Sequence, residues 1–179
     1  DRPPGSKLLT RIDTGLDAAR DGAPVVIYLH GFPDSSVHPS TGDFSSRLPR
    51  KLCEAVHKAI PDAVFACFNA SGIPGSDGVA FRDKLISREV EDTVTVATYV
   101  RSRFAGPSSR VYLLGVSTGA IIASLARSRS ELWPSAVIAV AGLLDVVGGV
   151  RLDFDEEQRC AMEQTGVCLK EFWVPPGYT

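Results

Sequence analysis

Several features are scarce in this chain of 179 residues, and each scarcity excludes a class of protein. No apolar run approaches the ~20 residues that a membrane-spanning helix needs, so no transmembrane segment is expected. Lys and Arg together number 19 and Asp and Glu 21, a net charge of -2, so we expect no nucleic-acid partner. No signal peptide or transit segment is visible, which leaves the compartment open and slightly favours the cytoplasm or an organelle matrix.

Cysteine and histidine are scarce as well. The cysteines do not form the paired C-x-x-C pattern of a zinc site, and we expect no metal and no cofactor. Cys53 and Cys67 lie in apolar segments typical of a core. A disulfide between Cys160 and Cys168 stays open. The chain has three histidines, and none follows residue 57.

Apolar runs rich in β-branched residues alternate with stretches of helical periodicity. Buried strands are predicted over 24–29, 63–68, 111–114 and 136–141, with a short strand over 7–12. Helices are predicted over 46–60, 86–104, 118–129 and 153–165. This alternation predicts an α/β fold with a parallel sheet and right-handed crossovers. In such sheets the reactive groups gather beyond the carboxyl ends of the strands.

The sequence G-V-S-T-G-A at residues 115–120 lies between a predicted strand and a predicted helix. In that context G-x-S-x-G is typical of a sharp turn that exposes a nucleophilic serine, here Ser117. The tight turn brings flanking backbone close to neighbouring elements, so Gly115 and Gly119 are expected to be sterically required. The following helix points its N-terminus at the same place, where it favours developing negative charge. The alternative is a glycine-rich turn with an incidental serine.

The sequence H-G-F-P-D at residues 30–34 follows the first core strand. A backbone amide of this loop can face the serine, and we expect the amides of Phe32 and Thr118 to form a two-donor oxyanion hole. Gly31 supports the loop, and His30 is expected to brace it as a structural residue. The alternative is a plain turn at the end of a strand.

With these two motifs the chain resembles the α/β-hydrolase superfamily, in its serine esterase and lipase branch. The resemblance runs from about residue 24 to 148 and implies an incomplete, N-terminal part of the hydrolase core over 1–149. Residues 150–179 would then begin a lid or cap, or form an interface. H-G-F-P-D also resembles epoxide hydrolases, but those have an aspartate at the elbow. Ser117 instead points to serine-type hydrolysis of an ester or amide.

The chain departs from the family pattern in one respect. The family order is Ser, then Asp or Glu, then His, whereas His30, His38 and His57 all precede Ser117. We therefore expect the catalytic histidine to come from another chain or segment. Asp145 follows the last strand and is the candidate triad acid, with a loop residue or helix cap as the alternative.

Three functions remain open at this point. The first is a serine hydrolase that cleaves a small carboxylic ester or related acyl substrate once a histidine is supplied. The second is an inactive hydrolase-like structural subunit of a larger assembly, and the third is a shortened module that only binds an acyl ligand. A second protein chain is expected to complete the sheet. The aromatic residues expected to line either an acyl pocket or that interface are Phe154, Phe172 and Trp173.

Overall fold

A computed structural model describes residues 5–15, 21–130, 132–142 and 145–166. Phe172, Trp173 and Cys168 lie outside the described residues, so the expectations for them are not taken further. In the described part, no helix combines the length and apolar character that crossing a bilayer requires.

Within the described residues, five strands form a single sheet in the order β1-β3-β2-β4-β5. Their bounds are β1 Thr10–Thr14, β2 Val25–Leu29, β3 Val64–Phe68, β4 Val111–Val116 and β5 Ala136–Val140. Strand β1 pairs antiparallel with β3, and the other pairs are parallel. The predicted α/β fold with a mostly parallel sheet is therefore confirmed.

The three central strands are apolar because both of their faces are covered. Every residue of β2 and β3 is buried, as continuous β-branched runs predict for parallel strands. Helices α2 (Ile86–Phe104) and α3 (Thr118–Ala126) contribute to the apolar layer on one face. Helix α1 (Arg47–Ala59) contributes to the smaller layer on the other.

Two predicted elements differ in the structure. The first strand begins at Thr10, three residues later than predicted, and its pairing places Thr10 opposite Phe68. The helix predicted over 153–165 is α5, Glu156–Thr165, and a separate helix α4, Val146–Asp153, precedes it. The side chain of Asp155 accepts a hydrogen bond from the Gln158 amide and Gln158 reciprocates, so this capping box starts a new helix. Helix α4 spans the boundary expected after residue 149.

Strand β5 lies at the edge of the described sheet. Four of its five residues are exposed, including Ile138 and Val140 at 47% and 46%. Parallel strands are normally covered on both faces, and β2 and β3 of this same sheet are. The described residues therefore leave apolar surface uncovered at the β5 end.

Candidate functional site

Ser117 lies between the end of β4 and the start of α3, in a strained backbone conformation. Its φ of 55° and ψ of -123° are rare for a residue with a side chain. Its amide donates to the Val140 carbonyl of β5 at 3.0 Å, and its carbonyl accepts from the Ala120 amide at 3.0 Å. Ser117 is exposed, and its hydroxyl forms no hydrogen bond with a described residue. The turn therefore presents a free hydroxyl at the carboxyl edge of the sheet.

The two glycines of the turn are sterically required. A Cβ on Gly115 would lie 2.2 Å from the Gly119 carbonyl oxygen. A Cβ on Gly119 would lie 2.3 Å from the carbonyl oxygen of Leu29, at the end of β2. Both distances are shorter than any van der Waals contact, and the opposing atoms are backbone. The start of α3 therefore reaches its position against β2 and β4 only with glycine at these two places.

The loop that follows β2 approaches the serine at Gly31. A Cβ built there would lie 3.0 Å from the Ser117 Cβ and 3.5 Å from its Oγ. The missing side chain thus leaves open space beside the hydroxyl. The next residue, Phe32, donates its amide hydrogen to the Thr118 hydroxyl oxygen at 2.6 Å. The Phe32 ring is 46% exposed and stacks on the Phe81 ring at 5.4 Å.

The structure brings the two predicted oxyanion donors together, but in an unexpected relationship. Thr118 is the first residue of α3, so its amide has no acceptor within the helix, and it has none among the described residues. The Phe32 amide points to the Thr118 side chain. The sequence reasoning missed this bond because the two residues are 86 positions apart.

His30 is a buried, neutral brace below the loop. One ring nitrogen, Nδ1, lies 2.9 Å from the Gly31 carbonyl oxygen, and the other, Nε2, accepts a long 3.5 Å bond from the Ala70 amide. Burial lowers the pKa of the imidazole, an effect opposed in part by the hydrogen bond to the Gly31 carbonyl and by nearby Glu89 and Asp34. With both nitrogens engaged, the ring is not aimed at Ser117.

Neither of the other two histidines forms a hydrogen bond with Ser117. His38 is exposed, and its Nδ1 accepts from the Ser40 amide at 3.3 Å. His57 lies in α1, and its Nε2 is 3.1 Å from the carbonyl oxygen of Ala63, just before the amino end of β3. That is the end of the parallel sheet opposite Ser117. No histidine of the chain therefore forms a hydrogen bond with the Ser117 hydroxyl.

Asp145 lies at the start of α4, after β5. It is exposed, and its Oδ1 accepts a hydrogen bond from the Gly148 amide at 2.9 Å. This is the geometry of a helix cap, one of the two roles anticipated for it. Asp145 follows β5 and Ser117 follows β4, its parallel neighbour, so both chain segments leave the sheet at the same edge.

Asn69 is a structural residue that the motifs did not indicate. It follows β3 and is fully buried, and its Oδ1 accepts from the amides of Ser36 and Val37 at 2.9 Å each. Its Nδ2 donates to the carbonyls of Val37 and Pro74. This side chain ties the segment after the Gly31 loop to the segment after β3. It begins an N-A-S triplet of the glycosylation type, but its nitrogen is engaged and inaccessible.

A second set of buried polar side chains lies close to His30. Lys84 and Glu89 form an ion pair of 2.9 Å with side chains only 7% and 15% exposed. Asp92 accepts from the amide and hydroxyl of Ser71. A groove of about 590 Å³ lies over this region, between the 71–79 loop and α2. Ser117 and Phe32 do not line it, so it is separate from the serine turn.

Comparison with solved structures finds many proteins of similar fold. Mouse alpha/beta hydrolase domain-containing protein 10 superposes with a TM-score of 0.62 and 19% identity, over 93% of this chain and 57% of its own. Est1E from Butyrivibrio proteoclasticus, solved with ferulic acid bound, superposes with a TM-score of 0.61 and 21% identity, over 77% of this chain and 51% of its own. XC6422 from Xanthomonas campestris, described as a serine hydrolase without lid, superposes with a TM-score of 0.52 and 18% identity, over 76% of this chain and 61% of its own.

The matched part is 51% to 61% of the length of these three proteins. No protein-family model matches the sequence, and no curated protein sequence matches it. The identities are low, so the superpositions bear on the fold. The strand order, the serine turn between β4 and α3 and these superpositions together show that the chain has the fold of the α/β-hydrolase superfamily, as its two motifs predicted.

Proposed function

We propose that this chain carries the nucleophile of a serine hydrolase that cleaves carboxylic esters or related acyl bonds. One observation carries the proposal: Ser117 is held in a strained turn with an exposed, unbonded hydroxyl, directly before a helix N-terminus. Strain of this kind costs about 1–3 kcal/mol and persists where the surrounding structure enforces it. Here Gly115 and Gly119 permit the close contacts that enforce it.

In the proposed reaction the Ser117 Oγ attacks the acyl carbonyl carbon while a base takes its proton. The carbonyl π electrons move to oxygen and form an oxyanion. In this proposal the Thr118 amide, which has no acceptor among the described residues, donates to that oxygen. As this intermediate collapses, the bond to the leaving oxygen breaks and the base returns the proton to that oxygen, which releases the alcohol and leaves an acyl-serine. Water then hydrolyses the acyl-serine and restores the Ser117 hydroxyl.

The base in this proposal is a histidine from outside the 179 residues. His30 is engaged at both nitrogens, and His57 lies at the opposite end of the sheet. Asp145 would orient the incoming imidazole, because it lies at the same edge as Ser117 and its carboxylate is exposed. In that role it would give up or share its bond with the Gly148 amide.

We propose further that polypeptide beyond these residues, on a second chain or another segment, covers β5 and brings the histidine. The exposed side chains of Ile138 and Val140 support this, because the rest of the parallel sheet is covered. The superposed proteins also extend well beyond the matched part. No metal or cofactor enters the proposed reaction.

A fluorophosphonate probe tests the nucleophile directly. We expect the native protein, isolated with its associated polypeptides, to be labelled at Ser117, as located by mass spectrometry, and S117A to lose the label. Ser128→Ala is the matched control, because Ser128 is also exposed near α3 but its hydroxyl is bonded to the Leu125 carbonyl. An unlabelled but folded native protein would support the inactive structural subunit instead.

The source of the base has its own test. We expect His38→Gln and His57→Gln to label at the rate of the native protein. Diethyl pyrocarbonate, which modifies accessible imidazoles, should still block the labelling of both variants. A labelling rate that collapses in H38Q would place the base within this chain and contradict the proposal.

A further inference from the structure

Thr118 connects the serine turn to the loop after β2 through its side chain. Its Oγ1 accepts the Phe32 amide hydrogen at 2.6 Å, a short distance for a bond between an amide and a hydroxyl. In the expected two-donor oxyanion hole, the Phe32 amide would point at the substrate. In the structure that amide is already engaged by a side chain of the same site.

The hydroxyl proton of Thr118 is the group that remains available. A threonine hydroxyl has one proton and two lone pairs, and the Phe32 amide occupies one lone pair. Thr118 donates to no described residue. Three of the other four helical threonines donate to the carbonyl four residues earlier: Thr93, Thr95 and Thr165. Thr118 stands at the start of α3, where the preceding residues belong to a strand, so no such carbonyl is in place.

Thr118 therefore offers two proton donors at one place, its backbone amide and its hydroxyl. Accepting the Phe32 bond polarises the hydroxyl and strengthens it as a donor. The N-terminus of α3 adds a partial positive charge at the same position. Gly31 leaves open space beside the Ser117 hydroxyl, where an acyl group would lie.

We propose that the Thr118 hydroxyl donates directly to the oxyanion, and that the Phe32 amide acts on the oxyanion through it. The inference rests on the proposed function and deepens it by assigning the second donor to a side chain. When the Ser117 Oγ bonds to the carbonyl carbon, the π electron pair moves to oxygen, and the serine proton goes to the histidine. Thr118 keeps its own proton throughout, so its contribution is a hydrogen bond that strengthens as charge develops.

The competing arrangement makes the opposite prediction. If the Phe32 amide itself bound the oxyanion, its bond to Thr118 would have to break first. The Thr118 hydroxyl would then compete with the oxyanion for the Phe32 amide. Removing that hydroxyl would leave the reaction rate at Ser117 unchanged or raise it. Under the present inference, removal of the hydroxyl lowers the rate.

The test compares Thr118→Val, which has nearly the same shape but no hydroxyl, with Thr118→Ser, which keeps the hydroxyl. The native protein and each variant are titrated with a fluorophosphonate, and the second-order rate of labelling at Ser117 is measured beside the melting temperature. We expect T118V to label about 10²-fold more slowly, as for loss of one oxyanion donor, and T118S to stay near the native rate. A T118V rate equal to or above the native rate overturns the inference.

A thiophosphonyl analogue of the probe separates donation from a structural role. Sulfur accepts hydrogen bonds poorly, so the native protein should react faster with the P=O probe than with the P=S probe. T118V should lose most of that preference, whereas a variant that merely disturbed the loop would slow both probes alike. An unchanged preference in a slowed T118V overturns the inference but leaves the proposed nucleophile standing. Absence of Ser117 labelling in the native protein overturns both.

Discussion

A Cβ atom on Gly31 would lie 3.5 Å from the Ser117 hydroxyl oxygen and 3.0 Å from the Ser117 Cβ. The loop after β2 and the turn after β4 thus approach each other so closely that a single methyl group would fill the space beside the serine. This relationship links the two sequence motifs, which are far apart in the chain.

Gly31→Ala is therefore expected to impair reactivity more than folding. The φ of Gly31 is not in the left-handed region, and the built Cβ lies 3.0 Å from the Ser117 Cβ and 3.3 Å from the Val116 carbonyl oxygen, so alanine needs a shift of only a few tenths of an ångström. Its methyl group would displace an acyl or phosphonyl group from the serine. We expect fluorophosphonate labelling to slow about 10²-fold with little change in melting temperature. Native-like labelling in G31A would show that substrate does not approach through this space.

Gly119→Ala is expected to impair folding itself. Its Cβ would lie 2.3 Å from the Leu29 carbonyl oxygen and 2.6 Å from that of His30, so α3 would have to move away from β2. Because this overpacking is against backbone in a buried turn, G119A should lower the free energy of unfolding, measured with urea, by about 3 kcal/mol or more.

Gly42→Ala is the control for that measurement. Gly42 has a φ of +72° but no atom within 4 Å of its built Cβ. G42A should lower the free energy of unfolding by only about 1–2 kcal/mol, which is the cost of a left-handed conformation for a residue with a side chain. Equal destabilisation of G119A and G42A would contradict the steric role assigned to the turn.

The sequence predicted the parts of this fold that are locally encoded. The strands β2, β3 and β4 are continuous apolar runs, and G-x-S-x-G between a strand and a helix has a steric meaning that does not depend on distant residues. The antiparallel pairing of β1 was not predictable, because register depends on β3, more than 50 positions away. Helix α4 was missed because Gly148 and Gly149 weaken the helical pattern.

The polar contacts of the site were also beyond prediction from the sequence. The bond between the Phe32 amide and Thr118 joins residues 86 positions apart, and the bonds of Asn69 reach back 32 and 33 positions. A sequence motif names the residue types at such a site. It does not state which amide will point at which oxygen.

Asn69 should be a large contributor to stability. Asn69→Ala would leave the buried amides of Ser36 and Val37 without their acceptor, and an unsatisfied buried group costs about 1–3 kcal/mol. We expect the free energy of unfolding of N69A, measured with urea, to be lower than that of the native protein by about 3 kcal/mol or more.

Ser36→Ala is the matched control in the same segment. Ser36 is fully buried, but its hydroxyl has no partner among the described residues, so its removal should be nearly neutral. An N69A variant as stable as S36A would show that the Asn69 bonds do not hold the loop.

His30 should make the protein less stable in mild acid. Burial lowers the pKa of its imidazole below 6.5. The hydrogen bond to the Gly31 carbonyl, Glu89 and Asp34 oppose this shift, and Lys84 adds to it. Between the lowered pKa and 6.5, the unfolded chain binds a proton that the native state does not. The free energy of unfolding attributable to His30 is therefore fully present above about pH 6.5 and falls as the pH drops below it, by at most about 1.4 kcal/mol per pH unit.

Urea unfolding from pH 7.5 to 5 measures this slope. His30→Gln, which keeps an acceptor for the Ala70 amide, should flatten the slope even if it lowers stability at every pH. An H30Q slope identical to that of the native protein would show that His30 is not the group that titrates.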